Sequence, residues 1–148
     1  MNTQFAVAVH ILALMAMNMQ EHITSAYMAK SVNTNPVVIR RITALLKRAG
    51  LIEVKAGVGG AYFLKSPDDI DLSEVFMAIK AGSGHMVPLH DNTNQECYVG
   101  ANIHDALEMP LAKLEQAVLD SLKTTTIADI CAFIRARRDI GYRKIYYS

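Results

Sequence analysis

Between positions 3 and 18 apolar side chains recur every three to four residues. Phe5, Val9, Leu12 and Ala16 make one stripe, and Ala8, Leu12, Met15 and Met19 make a second. The spacing predicts a helix that is apolar nearly all round and so is covered on several sides, a second subunit being one cover open to it. Thr24-Ser25 then offers a helix start, and a short helix over Ala26–Ser31 ends near Val32. Asn35 follows as an N-cap, with Pro36 at the first helical position, where its missing N–H costs nothing. From there Ile39, Ile42, Leu46 and Ala49 share one face. Arg40, Arg41, Ala44 and Lys47 lie largely on the other, and Gly50 closes the helix. A short helix, a four-residue turn and a capped amphipathic helix with a basic outer face make a helix-turn-helix pattern.

Leu51–Lys55 and Ala61–Lys65 read as two short strands joined by Gly57–Gly60, and a hairpin placed directly after such a helix is the wing of a winged helix. Ser66-Pro67-Asp68-Asp69 is a turn. Leu72–Ala81 is a helix with Leu72, Val75, Phe76 and Ile79 inward, and the polar, glycine-bearing stretch Gly82–Gly100 reads as a loop. A long helix spans Ala101–Leu122, with Ile103, Leu107, Leu111, Leu114, Val118 and Leu122 along one stripe and Pro110 set to kink or divide it. Thr126 and Asp129 cap a last helix whose inner face is Ile127, Ile130, Cys131 and Ile134.

The segment Lys55–Leu64, "KAGVGGAYFL", carries three glycines. A phosphate-binding loop needs a lysine after the second glycine and then a helix, but the strand-like Ala61-Tyr62-Phe63-Leu64 follows. A hairpin accounts for the glycines through the positive φ that tight turns require. A wing without side chains also brings backbone N–H groups close to a phosphate, and both roles stay open.

Charge sharpens this picture. The 148 residues carry a formal net charge of only +1, but residues 25–65 hold seven basic side chains against one acid. Residues 66–134 are net acidic, and residues 135–148 are basic again. A basic block inside a near-neutral protein points to a local anionic partner or to a solvated charged face. The two cysteines, Cys97 and Cys131, are far apart and form no CxxC, which fits a reducing cytoplasm and not a disulfide scaffold. The apolar run Phe5–Met17 lacks signal-peptide flanks and is shorter than the roughly 20 residues a membrane span needs, so no membrane association is expected.

The stretch from Thr24 to Ile79 joins the caps, the turn, the basic helix, "AGL", the glycine wing and a Pro-x-x-Ile-x-Leu-x-x-Val run. In this combination the chain resembles the Rrf-two family of winged-helix regulators, among them the iron–sulfur cluster regulator, the nitrite-sensitive repressor and the cysteine-metabolism repressor. The resemblance covers nearly the whole chain. It implies a mainly α fold with a small β-hairpin wing, a winged helix-turn-helix followed by a long C-terminal dimerisation helix. It also implies a homodimeric, cytoplasmic DNA-binding regulator that reads a roughly palindromic double-stranded site. Residues 1–81 would form the DNA-binding domain and 82–100 a sensor loop. Residues 101–148 would form the dimerisation helix and a helix packing back on the same fold, with the 103–122 stripe at the dimer interface.

On this resemblance Thr24, Ser25, Tyr27, Asn33, Thr34 and Asn35 lie where phosphate contacts are made around the helix-turn-helix, or act only as cap and turn residues. Val38, Arg40 and Arg41 lie near the start of the recognition helix. The arginines suit either a guanine edge or a phosphate. Lys47 and Lys55 are expected on phosphates, and Gly59, Gly60 and Tyr62 on the wing's DNA side. Several relatives carry an arginine before the wing glycines, where this chain has Ala56 beside Lys55.

The iron–sulfur members carry three cysteines before the long helix, whereas this chain has only Cys97 there, so no cluster or other cofactor is expected. Cys97 is a candidate thiol sensor or an unreactive loop residue, with Glu96 beside it opposing thiolate formation. Cys131, on an apolar helix face, reads as core. The simplest mechanism is repression by occupying a promoter. Two alternatives differ in class. One is a small metal- or redox-binding protein, or an enzyme, built on Cys97 with His85, His90 and His104, though no acid–base pair or nucleophile triad supports catalysis. The other is a winged-helix module that binds protein, against which the basic block weighs.

Overall fold

The computed structural model describes residues 3–55, 59–83 and 86–138. In chain order these form α1 (Gln4–Met17), α2 (Ser25–Val32), α3 (Pro36–Arg48), β1 (Ile52–Val54), β2 (Ala61–Phe63), a single 3-10 turn (Pro67–Asp69), α4 (Leu72–Ser83), α5 (Tyr98–Leu122) and α6 (Ile127–Arg138). Among the described residues the fold is mainly helical with one two-stranded antiparallel sheet, a winged helix as the pattern predicts. The strands are shorter than expected, with Ile52 opposite Phe63, Glu53 opposite Tyr62 and Val54 opposite Ala61.

The near-uniform apolarity of α1 has its explanation in its neighbours, since α1 packs against α2, α3, α4 and α6 at once. Ala8, Ile11 and Leu12 are fully buried there, together with Ile39, Ile42 and Leu46 of α3, Ile52 of β1, Val75 of α4 and Ile127 of α6. Each large aliphatic chain so placed contributes about 1.5–3 kcal/mol relative to exposure. Phe76, half-buried, meets Phe5 edge to face with ring centroids 6.0 Å apart. Cys131 is buried as expected, its thiol 3.7 Å from the Ala13 carbonyl oxygen to which it donates.

α6 is clamped to the winged helix by two backbone bonds. Leu72 N–H donates to Thr125 O and Ile127 N–H to Ile70 O, both at 2.9 Å. Its start is a reciprocal capping box: Thr126 N–H donates to Asp129 Oδ2 at 2.9 Å and Asp129 N–H to Thr126 Oγ1 at 3.1 Å. The half-buried ion pair of Lys80 with Glu115 ties α4 to α5.

Several expectations need correction. The stretch read as a loop over Gly82–Gly100 is shorter, because α4 continues to Ser83 and α5 begins at Tyr98. Pro110 lies within α5 and does not divide it. Met19 falls beyond α1 and is 63% exposed, Ala49 is exposed, and Ile134 turns outward at 40% exposure. Gly50 sits one residue past the Ala49 cap, with φ +76°. His85, Ala56 and Gly57 lie outside the described residues.

Candidate nucleic-acid interface

Two side chains start the two helices of the motif. Thr24 Oγ1 accepts from Tyr27 N–H at 3.1 Å, and Asn35 Oδ1 accepts from Val37 N–H at 2.8 Å. Each satisfies an amide that the first turn leaves unpaired. Their acceptor atoms are therefore committed to the fold, although both residues remain exposed. Asn33 ends α2 in the left-handed region at φ 62°, and Thr34 N–H donates to Ala29 O at 2.9 Å. These bonds fix the turn between α2 and α3. Ser25 and Thr34 are half-buried. Tyr27 and Val38 pack partly against the core, so only part of each side chain faces outward.

Buried Ile39, Ile42 and Leu46 fix the rotation of α3 and hold Arg40, Arg41 and Lys47 at the surface. Neither Arg40 nor Arg41 forms an ion pair among the described residues. Lys47 differs: its ammonium lies 2.8 Å from Glu53 Oε1 on β1. That bond, followed by one from the Val54 amide, holds the Glu53 carboxyl below its ordinary pKa. A carboxylate thus competes with any phosphate for Lys47. The pairing escaped sequence reading because it joins a helix end to a strand residue across the Gly50 turn.

The wing meets the helix-turn-helix through its glycines. Gly59 and Gly60 have φ of +70° and +93°, and Lys55 N–H donates to Gly60 O at 3.1 Å. A Cβ on Gly59 would lie 3.9 Å from the Thr24 methyl, and one on Gly60 would lie 3.5 Å from His22 Cβ. The structure therefore gathers Thr24, Gly59 and Gly60 at one junction. Lys55, just past the end of β1, and Tyr62 on β2 stand exposed beside it.

Cys97 lies elsewhere, as the N-cap of α5, and is exposed. Its thiol makes no full capping bond, but the amides of Gly100 and then Val99 hold its pKa below the ordinary thiol value. The opposition expected from Glu96 is not among the influences on this thiol; the only one raising its pKa is desolvation. The preceding turn is pinned by Asn94, whose Oδ1 accepts from Glu96 N–H at 3.0 Å and whose carbonyl accepts from Cys97 N–H at 3.2 Å. His104 Nε2 is 2.9 Å from the His90 carbonyl oxygen, and the two rings stand edge to face at 5.5 Å. Cys97 does not join them: among the described residues no three His, Cys, Asp or Glu side chains gather as a metal site. The expected dimer stripe is half-buried at Ile103, Leu107, Leu111, Val118 and Leu122, and Leu114 is 45% exposed.

A capped helix-turn-helix with a basic outer helix and a glycine wing defines a winged-helix DNA-binding protein. The Rrf2 (Rrf-two) family, described as "Iron-dependent Transcriptional regulator", matches residues 1–132. The chain belongs to this family, and it is a transcriptional regulator, not an enzyme. It is 40% identical over 129 residues to the HTH-type transcriptional regulator YwnA of Bacillus subtilis (strain 168), covering 87% of this chain and 95% of that protein. A crystal structure described as a DNA binding protein matches with TM-score 0.66 and 36% identity, over 86% of this chain and 97% of its own. CymR, the global cysteine regulator of B. subtilis, shares the fold with TM-score 0.63 at 18% identity, over 90% of this chain and 96% of its own.

The family description names iron, but the donors here do not fit a cluster. One exposed thiol stands at the head of α5, and the second cysteine is buried in the core. Among the described residues no helix is long and apolar enough to cross a membrane.

Proposed function

We propose that the chain acts as a homodimeric repressor that binds a roughly palindromic operator, with α3 in the major groove and the wing beside it. The observation that carries this reading is the pair Arg40 and Arg41, exposed and without ion pairs among the described residues, on a helix whose rotation the core fixes. Gly59 beside Thr24 and Gly60 against His22 support a continuous surface that runs from the α2 N-cap to the hairpin. The homodimer is supported by α5, which has no fully buried residue along its 25 positions and leaves Leu114 and Met109 exposed at 45% and 64%. An apolar stripe of that length favours a second copy of the same helix.

The switch we propose is Cys97. Its exposure and lowered pKa favour a thiolate, and it caps the helix that would join the two subunits. Attack on a hydroperoxide forms an S–O bond as the O–O bond breaks. The sulfur is oxidised to a sulfenic acid, and the leaving oxygen departs reduced, as alcohol or water after protonation. No resident metal or cluster enters this scheme.

Fluorescence anisotropy on the protein's own upstream region, run reduced and oxidised over a salt series, tests the reading. Salt-dependent binding that weakens on oxidation in the native chain, but not in Cys97→Ser, is expected. Equal loss in both would remove Cys97 as the switch, and no binding above a random duplex would remove that region as the operator.

A further inference from the structure

A cleft of about 420 Å³ opens between the end of α1, the chain leaving β2, and α6. This is within the usual range for a small-ligand site. Much of its lining is apolar: Ala16 and Met19 from the end of α1, Phe63 and Leu64 from the end of β2, and Ala128 from α6. Met19 and Leu64 are 63% and 53% exposed, leaving an apolar rim in contact with water. Cys131 lines the interior as a buried thiol committed to the Ala13 carbonyl, so it acts as a small neutral surface.

The charges around this cleft are unequally occupied. Lys65 is bonded to Glu74 at 2.5 Å, and Asp68 accepts from the Ser66 hydroxyl at 3.2 Å. Arg135, also on the lining, is exposed and forms no ion pair among the described residues. A guanidinium with an open fork beside an apolar wall matches a carboxylate that carries a hydrocarbon tail. Asp68 at the same cleft disfavours a second negative charge on the ligand.

The position of the cleft gives it a consequence. Phe63 and Leu64 continue directly from the wing strand, and Leu64 N–H is anchored to Leu51 O at 3.0 Å. Met19 stands three residues before His22, against which Gly60 packs. Both walls therefore lead within a few residues to the junction of wing and α2. We propose that this cleft binds a monoanionic amphipathic carboxylate, its head on Arg135 and its tail along Met19, Phe63 and Leu64, and that occupancy shifts the wing and weakens DNA binding. The binding site stands on its own geometry, whereas its effect on DNA rests on the repressor reading above. Such coupling needs only that the two wing positions bind the ligand unequally.

Hexanoate is a suitable probe, with hexan-1-ol and hexylamine as neutral and cationic controls. Titration into the full-length protein, followed by amide chemical shifts, should give saturable changes centred on Leu64, Ala128 and Arg135. Arg135→Gln, an exposed substitution, should weaken hexanoate by about tenfold or more while leaving thermal unfolding unchanged. Leu64→Ser should weaken it about threefold through lost apolar contact. Shifts that map elsewhere, hexan-1-ol binding as tightly as hexanoate, or an unchanged affinity in Arg135→Gln would overturn the site. A second arm measures anisotropy on a duplex recovered by site selection. Hexanoate should raise the Kd of the native chain and leave Arg135→Gln unaffected. Saturable binding at the cleft with an unchanged DNA Kd would overturn the coupling alone. Absence of DNA binding before any hexanoate is added would instead defeat the repressor reading.

Discussion

Gly60 presses its backbone against His22. A Cβ at Gly60 would lie 3.5 Å from His22 Cβ and 3.6 Å from the Ile23 carbonyl oxygen, ordinary contact distances, while the residue's φ is +93°. The obstacle to a side chain is therefore conformation and not space. Gly60→Ala should cost about 1–2 kcal/mol in urea unfolding. Gly50 is the control, with φ +76° and nothing within 4 Å of a Cβ. Gly50→Ala should show a similar loss of stability with intact DNA affinity, whereas Gly60→Ala should weaken DNA binding as well, because it displaces the wing from Thr24.

Lys47 and Glu53 form a pair whose release should be visible in DNA binding. Glu53 holds the ammonium at 2.8 Å. Glu53→Gln keeps an acceptor for the Val54 amide and removes the charge that competes with phosphate. Affinity for DNA should rise and its salt dependence should steepen. Lys47→Ala should do the reverse, lowering the slope of log affinity against log salt by up to about 1.8 for a dimer with one contact per subunit. An unchanged slope in both variants would take Lys47 off the DNA surface.

Arg40 and Arg41 separate base reading from phosphate attraction. Alanine at a base-reading arginine should cost about 1–3 kcal/mol per contact and relax preference at one position of each half-site. Alanine at a phosphate-contacting arginine should weaken all duplexes alike. Site selection with each variant distinguishes the two outcomes residue by residue.

How far the sequence carries the fold is clearest at its glycines and caps. Thr24, Asn35 and the Thr126–Asp129 box announce helix starts because capping is local chemistry, complete within four residues. Gly82 and Gly100 suggest a loop, yet both lie in helices. A Cβ on Gly82 would meet Leu45 Cδ2 at 2.8 Å, and one on Gly100 would overlap the Asn94 carbonyl oxygen. Gly100 is required by the close approach of the Asn94 backbone, whereas at Gly82 the neighbour is a mobile leucine tip, and composition alone does not reveal either contact. The candidate interface residues are legible as a helix-turn-helix and wing, but the Lys47–Glu53 pair and the lowered Cys97 pKa depend on how separate turns meet. Ile134 follows the helical period of Ile127 and Ile130, but α6 outruns the body it packs on, so the period continues into solvent.

His10 predicts a pH dependence of stability. Its Nε2 lies 2.9 Å from Ser31 Oγ, and although the residue is exposed overall, partial desolvation of its ring lowers its pKa from 6.5 by disfavouring the charged form. The unfolded chain therefore binds this proton at higher pH than the folded one. The stabilisation is fully present above the unfolded pKa, near 6.5, and is lost as pH falls from there through the lowered folded value. Urea midpoints should decline over that window for the native chain. His10→Gln, which keeps a hydrogen-bonding side chain without a titrating ring, should flatten this part of the decline. An identical profile in both proteins would assign the dependence to other groups.

Gly100 and Cys97 give the sharpest test of the thiol. The lowered pKa depends on the Gly100 and Val99 amides, and those are placed by the tight packing of Gly100 beneath Asn94. Iodoacetamide should label Cys97 with a pH midpoint below that of a free cysteine peptide, while buried Cys131 should label only after unfolding. In Gly100→Ala the new methyl group must push the 94–97 turn off the head of α5, so the midpoint should rise toward the ordinary thiol value with Cys97 still exposed. A midpoint that stays low in that variant would show that the helix amides are not its cause. The proposed peroxide sensitivity would then need another source of thiolate.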